Sequence, residues 1–109
     1  MPKVKFINID KLLEMEANNE NFKLVEVLKE DSYKQGHIPG AINIPVNKLN
    51  ELAPKQLKKT DTIVVYCTSY GCNASTNAAK SLMKMDHKKI LDFKGGKKMW
   101  VDAGLELEV

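Results

Sequence analysis

The chain has 109 residues, 43% of them hydrophobic, and a net charge of +3, with 17 basic residues against 14 acidic ones. This length holds one domain with a core of its own, residues 1–109, and is too short for two. With no long apolar run and no charged, cleavable leader, the sequence predicts neither a membrane span nor a signal peptide. All of the basic residues are lysine. They are scattered among acids and predict solvated faces rather than a nucleic-acid patch. Without arginine, no residue offers the rigid bidentate fork that grips an oxyanion. Two cysteines, Cys67 and Cys72, do not make the disulfide framework of a secreted fold, so a cytoplasmic protein with reduced thiols is expected. Neither they nor the distant His37 and His87 show metal-ligand spacing, and no metal or cofactor is expected.

In chain order, residues 6–9 predict a short edge strand, and Asp10 caps a helix that runs through about Ala17 and stops at Asn18 and Asn19. Residues 22–28 are apolar except at Lys23 and Glu26 and read as a buried parallel strand. Glu26 fits an exposed strand end or a carboxylate bonded to loop amides, with a catalytic acid as the less favoured reading. Residues 31–35 form a short helix closed by Gly36. His37 opens a turn through Gly40; it either bonds nearby backbone or serves as a base, and the first is preferred. Residues 41–45 form a second short strand ended by Pro45. Weak helical periodicity follows from Val46 to Leu57, interrupted by Pro54.

Residues 63–66 are β-branched or aromatic and predict a short buried strand. Cys67 follows at once, then small and polar residues, then Ser75 as N-cap of an amphipathic helix over residues 76–85. Residues 90–93 read as another strand and 94–97 as a turn. A last short helix over 98–103 carries Trp100 on its inner face. Strands alternating with helices at these spacings predict an α/β fold, a mainly parallel sheet of about five strands with helices on both faces.

Cys67 therefore stands where a strand ends and a loop feeds a helix, the place where open α/β sheets bind ligands. Inward-turned loop amides and a helix N-terminus stabilise an anion there and lower a thiol's pKa. A buried cysteine acting as a small hydrophobe fits the same position equally well.

Three blocks of the sequence resemble single-domain rhodaneses almost end to end. The first is Leu24-Val25-Glu26-Val27 with Ser32-Tyr33 and the unbroken run from Gly36 to Pro45. The second is Val64-Val65-Tyr66-Cys67 with Ser75 to Ala79. The third is Phe93-Lys94-Gly95-Gly96 with Trp100 and Ala103-Gly104-Leu105. The resemblance implies a sulfurtransferase that moves sulfane sulfur from a donor such as thiosulfate or a persulfide to a thiophilic acceptor, cyanide or another thiol. Cys67 matches the catalytic nucleophile that carries the sulfur as a persulfide. The backbone amides of Thr68, Ser69, Tyr70, Gly71, Cys72 and Asn73 would cradle it. A protein donor or acceptor is also compatible with the family.

The sequence departs from the family in its loop. Members commonly place an arginine five residues after the nucleophile, where this chain has Cys72, and the loop is about two residues longer here. The usual aspartate and arginine after the first buried strand are Glu26 and Leu28. Lys80, Lys94, Lys97 and Lys98 are the available point charges, which favours a neutral or protein-borne persulfide over thiosulfate. The longer loop approaches that of the related phosphatases, but Asn73 stands near their closing arginine, which argues against phosphoryl or arsenate chemistry. Cys72 is either a small residue filling the loop or a candidate resolving thiol that attacks a Cys67 persulfide and leaves a disulfide. A Cys67/Cys72 redox protein, a non-enzymatic sulfur carrier and an interaction module remain the alternatives.

Overall fold

The architecture follows from alternation along the strands. In β2 (Lys23–Glu26) and β4 (Thr62–Tyr66), successive side chains leave on opposite sides of the sheet and enter two separate cores. Val25, Ile63 and Val65 pack on one side beneath α3 (Leu49–Gln56) and α4 (Ala74–Lys84). Leu24, Val64, Tyr66 and Phe93 pack on the other with α1 (Ile9–Ala17) and α5 (Gly96–Asp102), which contribute Leu12, Met15 and Trp100. A sheet buried on both faces needs near-continuous apolar strands, and that is what β4 supplies.

A computed structural model describes residues 3–109. Its five strands run in the order β1-β5-β4-β2-β3 and all pair in parallel, with β1 at Lys5–Ile7, β3 at Ile42–Asn43 and β5 at Lys89–Phe93. The expected α/β sheet with helices on both faces is therefore the observed one. No helix among the described residues is long and apolar enough to cross a membrane.

Local differences have identifiable causes. Asn8, not Asp10, caps α1, its side chain accepting the Lys11 amide at 2.9 Å. Pro54 does not interrupt α3: it lies in the helix's last turns, where a single lost amide bond is tolerated, and a short 3-10 turn at Val46–Lys48 precedes it. α2 (Glu30–Gln35) ends at Gly36 as expected. His37 takes the structural role: Nδ1 lies 3.0 Å from the Tyr33 carbonyl, the ring stacks on Tyr33, and its backbone exchanges two hydrogen bonds with Glu108.

Candidate active site

β4 delivers Tyr66 and Cys67 to the C-terminal edge of the sheet, and their alternation sends them to opposite faces. Residues 68–73 then curl through a turn closed by the Cys72 amide on the Ser69 carbonyl, 3.0 Å, and feed α4. The loop's base is pinned by α5. The amides of Lys97 and Lys98 donate to the carbonyls of Cys67 and Thr68 at 3.0 and 2.9 Å. This approach requires a glycine: Gly96 has φ +61, and a Cβ there would sit 2.2 Å from the Cys67 carbonyl oxygen.

Cys67 differs from the sequence expectation. Its side chain has no exposed surface and belongs to the aliphatic core with Val65, Ala78 and Ala79. Sγ lies 3.4 Å from the carbonyl oxygen of Cys72 and 3.5 Å from the Ser75 hydroxyl. Burial pushes this thiol up from its ordinary pKa, and contact with Cys72 adds to the rise; the Ser75 hydroxyl and amide offset part of it. Of the two readings of this position, burial among apolar neighbours is the one observed, and it disfavours the thiolate. The physical reason is that the side chain turns into the core with Val65, Ala78 and Ala79, with the Cys72 carbonyl and the Ser75 hydroxyl beside its sulfur.

The loop amides are divided between the two thiols: that of Ser75 favours the Cys67 thiolate, those of Ala74 and Thr68 the Cys72 thiolate. Burial alone would raise the Cys72 thiol. A hydrogen bond from Cys67, the amides of Ala74 and Thr68, and the Lys94 ammonium outweigh it and bring the pKa down. Lys94 Nζ also donates to the Cys72 carbonyl at 2.8 Å and lies 3.5 Å from Asn73 Oδ1. Of the four lysines named as substitutes for arginine, Lys94 is the one whose ammonium reaches the loop. Lys97 instead donates to the Ser32 carbonyl at 2.8 Å, and Lys98 pairs with Asp102. Thr68, Ser69, Tyr70 and Gly71 form the outer rim, with Tyr70 and Gly71 exposed at its tip. A cavity of about 290 Å³ lies between Ser69, Tyr70, Gly71 and the α5 residues Lys98, Met99 and Asp102.

Ser75 is not the helix cap. α4 begins at Ala74 after Asn73, and the buried Ser75 hydroxyl faces Cys67. Sequence reasoning missed this role. The signal was there, since a small hydroxyl residue opening a helix straight after a cysteine loop has two uses, capping and contact with the sulfur.

On the opposite face, Glu26 is fully buried rather than at an exposed strand end. Oε1 accepts the Tyr66 hydroxyl at 2.9 Å, Oε2 lies 3.2 Å from Lys97 Nζ, and the Tyr66 oxygen accepts the Ile38 amide at 3.1 Å. Burial raises the Glu26 carboxyl above its ordinary pKa, although Tyr66 and Lys97 work the other way. Burial and the Glu26 charge together keep the Tyr66 phenol protonated as a donor. This network holds the scaffold and does not touch the loop sulfurs.

A parallel α/β domain that presents a cysteine at the end of its central strand, in an amide-lined loop feeding a helix, defines the class. Residues 8–103 match the Rhodanese-like domain family, and the chain belongs to it. It is 28% identical over 104 residues to a protein of Allochromatium vinosum named sulfurtransferase, covering 95% of this chain and 94% of that one. It is 30% identical over 77 residues to the thiosulfate sulfurtransferase GlpE of Coxiella burnetii, covering 71% and 69% of the two chains. Among solved structures, the BH2092 protein of Bacillus halodurans superimposes with a TM-score of 0.86 at 32% identity, covering 95% of this chain and 76% of that one.

Proposed function

We propose that this chain is a sulfurtransferase. It takes sulfane sulfur from a donor, holds it as a cysteine persulfide in the loop of residues 67–73, and passes it to a thiol or cyanide. The observation that carries this reading is Cys67, at the family's nucleophile position, standing at the end of the central strand in the loop that feeds α4. Its relatives' names support the same chemistry. Cys67 is the catalytic thiol, and the backbone of Thr68, Ser69, Tyr70, Gly71, Cys72 and Asn73 shapes the cradle. With Lys94 the one ammonium hydrogen-bonded to the loop among the described residues, and no guanidinium in the chain, a persulfide donor is favoured over the dianion thiosulfate.

The test supplies glutathione persulfide, polysulfide and thiosulfate in turn and measures thiocyanate formed from cyanide. Wild type turns over with the persulfide donor fastest. The double variant Cys67→Ser/Cys72→Ser falls to the uncatalysed rate. Equal rates for wild type and double variant overturn the reading.

A further inference from the structure

The two polar contacts of the Cys67 sulfur lie on segments that β5 and its next residue hold in place. The Cys72 carbonyl, 3.4 Å from Sγ, accepts the Lys94 ammonium at 2.8 Å. The Ser75 hydroxyl, 3.5 Å from Sγ, belongs to the first turn of α4. The residue after it, Thr76, donates its hydroxyl to Asp92 Oδ2 at 2.7 Å, the length of a hydroxyl-to-carboxylate bond. Asn73, at the N-cap of α4, makes no capping bond, and its Oδ1 lies 3.5 Å from the Lys94 ammonium instead.

Asp92 is costly where it stands. It has no exposed surface, pairs in register with Val65, and shares a side of β5 with Ile90 of the aliphatic core. Its Oδ1 has no hydrogen-bond partner among the described residues. A carboxylate buried with so little compensation lowers stability, and a packed valine would avoid that cost. The Glu26 and Tyr66 network, on the other side of the sheet, does not involve it.

We propose that Asp92 is a positioning residue for sulfur transfer: by gripping Thr76 it fixes the first turn of α4, so that the Ser75 hydroxyl stays against the Cys67 sulfur. This rests on the sulfurtransferase reading and concerns the same site. Successive helical residues point about 100° apart, so Ser75 faces Cys67 while Thr76 faces β5. A rotation of the turn that freed Thr76 would carry Ser75 away with it. Lys94 holds the other flank through the Cys72 carbonyl. The flanks act on the sulfur in opposite senses. A carbonyl oxygen accepts from the thiol and favours S–H, whereas a hydroxyl donates to the thiolate or to the persulfide anion formed from it. The thiolate is the nucleophile, so transfer depends on the flank that Asp92 secures. The Ser75 hydroxyl also works against the burial that pushes the Cys67 thiol up.

The experiment uses a Cys72→Ser parent, which leaves Cys67 as the one thiol. The parent, Thr76→Ser and Asp92→Val/Thr76→Val are compared in urea midpoint, in the pH midpoint of iodoacetamide alkylation, and in the rate at which glutathione persulfide adds one sulfur, read by intact mass. Thr76→Ser keeps the hydroxyl and is expected to load within about two-fold of the parent. The double valine variant removes both polar partners together, so its urea midpoint is expected at or above the parent's. It should nevertheless load about ten-fold more slowly and alkylate with a midpoint moved to higher pH, a pattern that lost stability does not produce. If the double variant does not fold, Thr76→Val alone carries the same expectation for loading and alkylation, with a lowered urea midpoint. A folded valine variant that loads at the parent rate with an unmoved alkylation midpoint overturns the positioning role and leaves the sulfurtransferase reading standing. A ten-fold loss in Thr76→Ser overturns it too, because the hydroxyl is still there. No loading in the parent or in wild type overturns both.

Discussion

Glu26 and Cys67 are close neighbours at the same edge of the sheet, yet the protein treats them in opposite ways. Glu26 pairs in register with Tyr66, the residue just before Cys67. On the α1/α5 face the carboxylate is fixed by the Tyr66 hydroxyl at 2.9 Å and the Lys97 ammonium at 3.2 Å. On the α3/α4 face, among the described residues, the Cys67 sulfur has long polar contacts only, 3.4 Å to the Cys72 carbonyl and 3.5 Å to the Ser75 hydroxyl. A buried charge without close partners is costly, so the first side must be locked. A thiol is soft and weakly hydrogen-bonding, so the second side tolerates loose contacts and keeps a reactive group inside the core. The difference separates a scaffold from a site across the thickness of one sheet.

The largest expected effect comes from the point where both sides meet. Gly96→Ala places a methyl group 2.2 Å from the Cys67 carbonyl at φ +61, and is expected to cost about 3 kcal/mol, read as a lowered urea midpoint. It should also unseat the loop, so persulfide loading falls with stability. Tyr66→Phe tests the locked side alone. It leaves Glu26 Oε1 and the Ile38 amide without their partner, for an expected loss of about 2 kcal/mol at an unchanged alkylation rate of Cys72. Loss of thiol reactivity in that variant would show that the two sides are not independent.

Lys94→Met probes the soft side and is the smallest expected effect. Burial raises the Cys72 thiol, and the contacts that outweigh this include the Lys94 charge. Removing that charge raises the thiol's pKa from its lowered position, so the iodoacetamide rate profile moves to higher pH. At neutral pH the rate should drop about two-fold, with the unfolding midpoint unchanged.

The same contrast explains what could be read from the residues alone. The sheet, its helices and the place of Cys67 rest on local periodicity and turn chemistry, which sequence carries directly. The state of Glu26 does not. Its partners Tyr66 and Lys97 lie 40 residues or more further along the chain, so an isolated acid in a strand read as a strand end. Cys67 failed for a related reason: its position at the strand end was legible, but its burial depends on how the loop curls and on the core residues it meets. Ser75 fits both a cap and a sulfur contact, and only the path of residues 68–73 chooses between them.

The anchoring of the Cys67 and Thr68 carbonyls on the start of α5 has a consequence beyond fixing the loop's position. In a trans peptide the carbonyl and the amide point opposite ways. Holding the Cys67 oxygen on the Lys97 amide therefore turns the Thr68 N–H away from α5, and that amide is among the groups that lower the Cys72 thiol. The start of α5 thus contributes to lowering the Cys72 thiol through one fixed peptide plane. Grafting residues 67–75 onto another scaffold carries this chemistry only if a turn equivalent to Gly95 and Gly96 is transplanted with them.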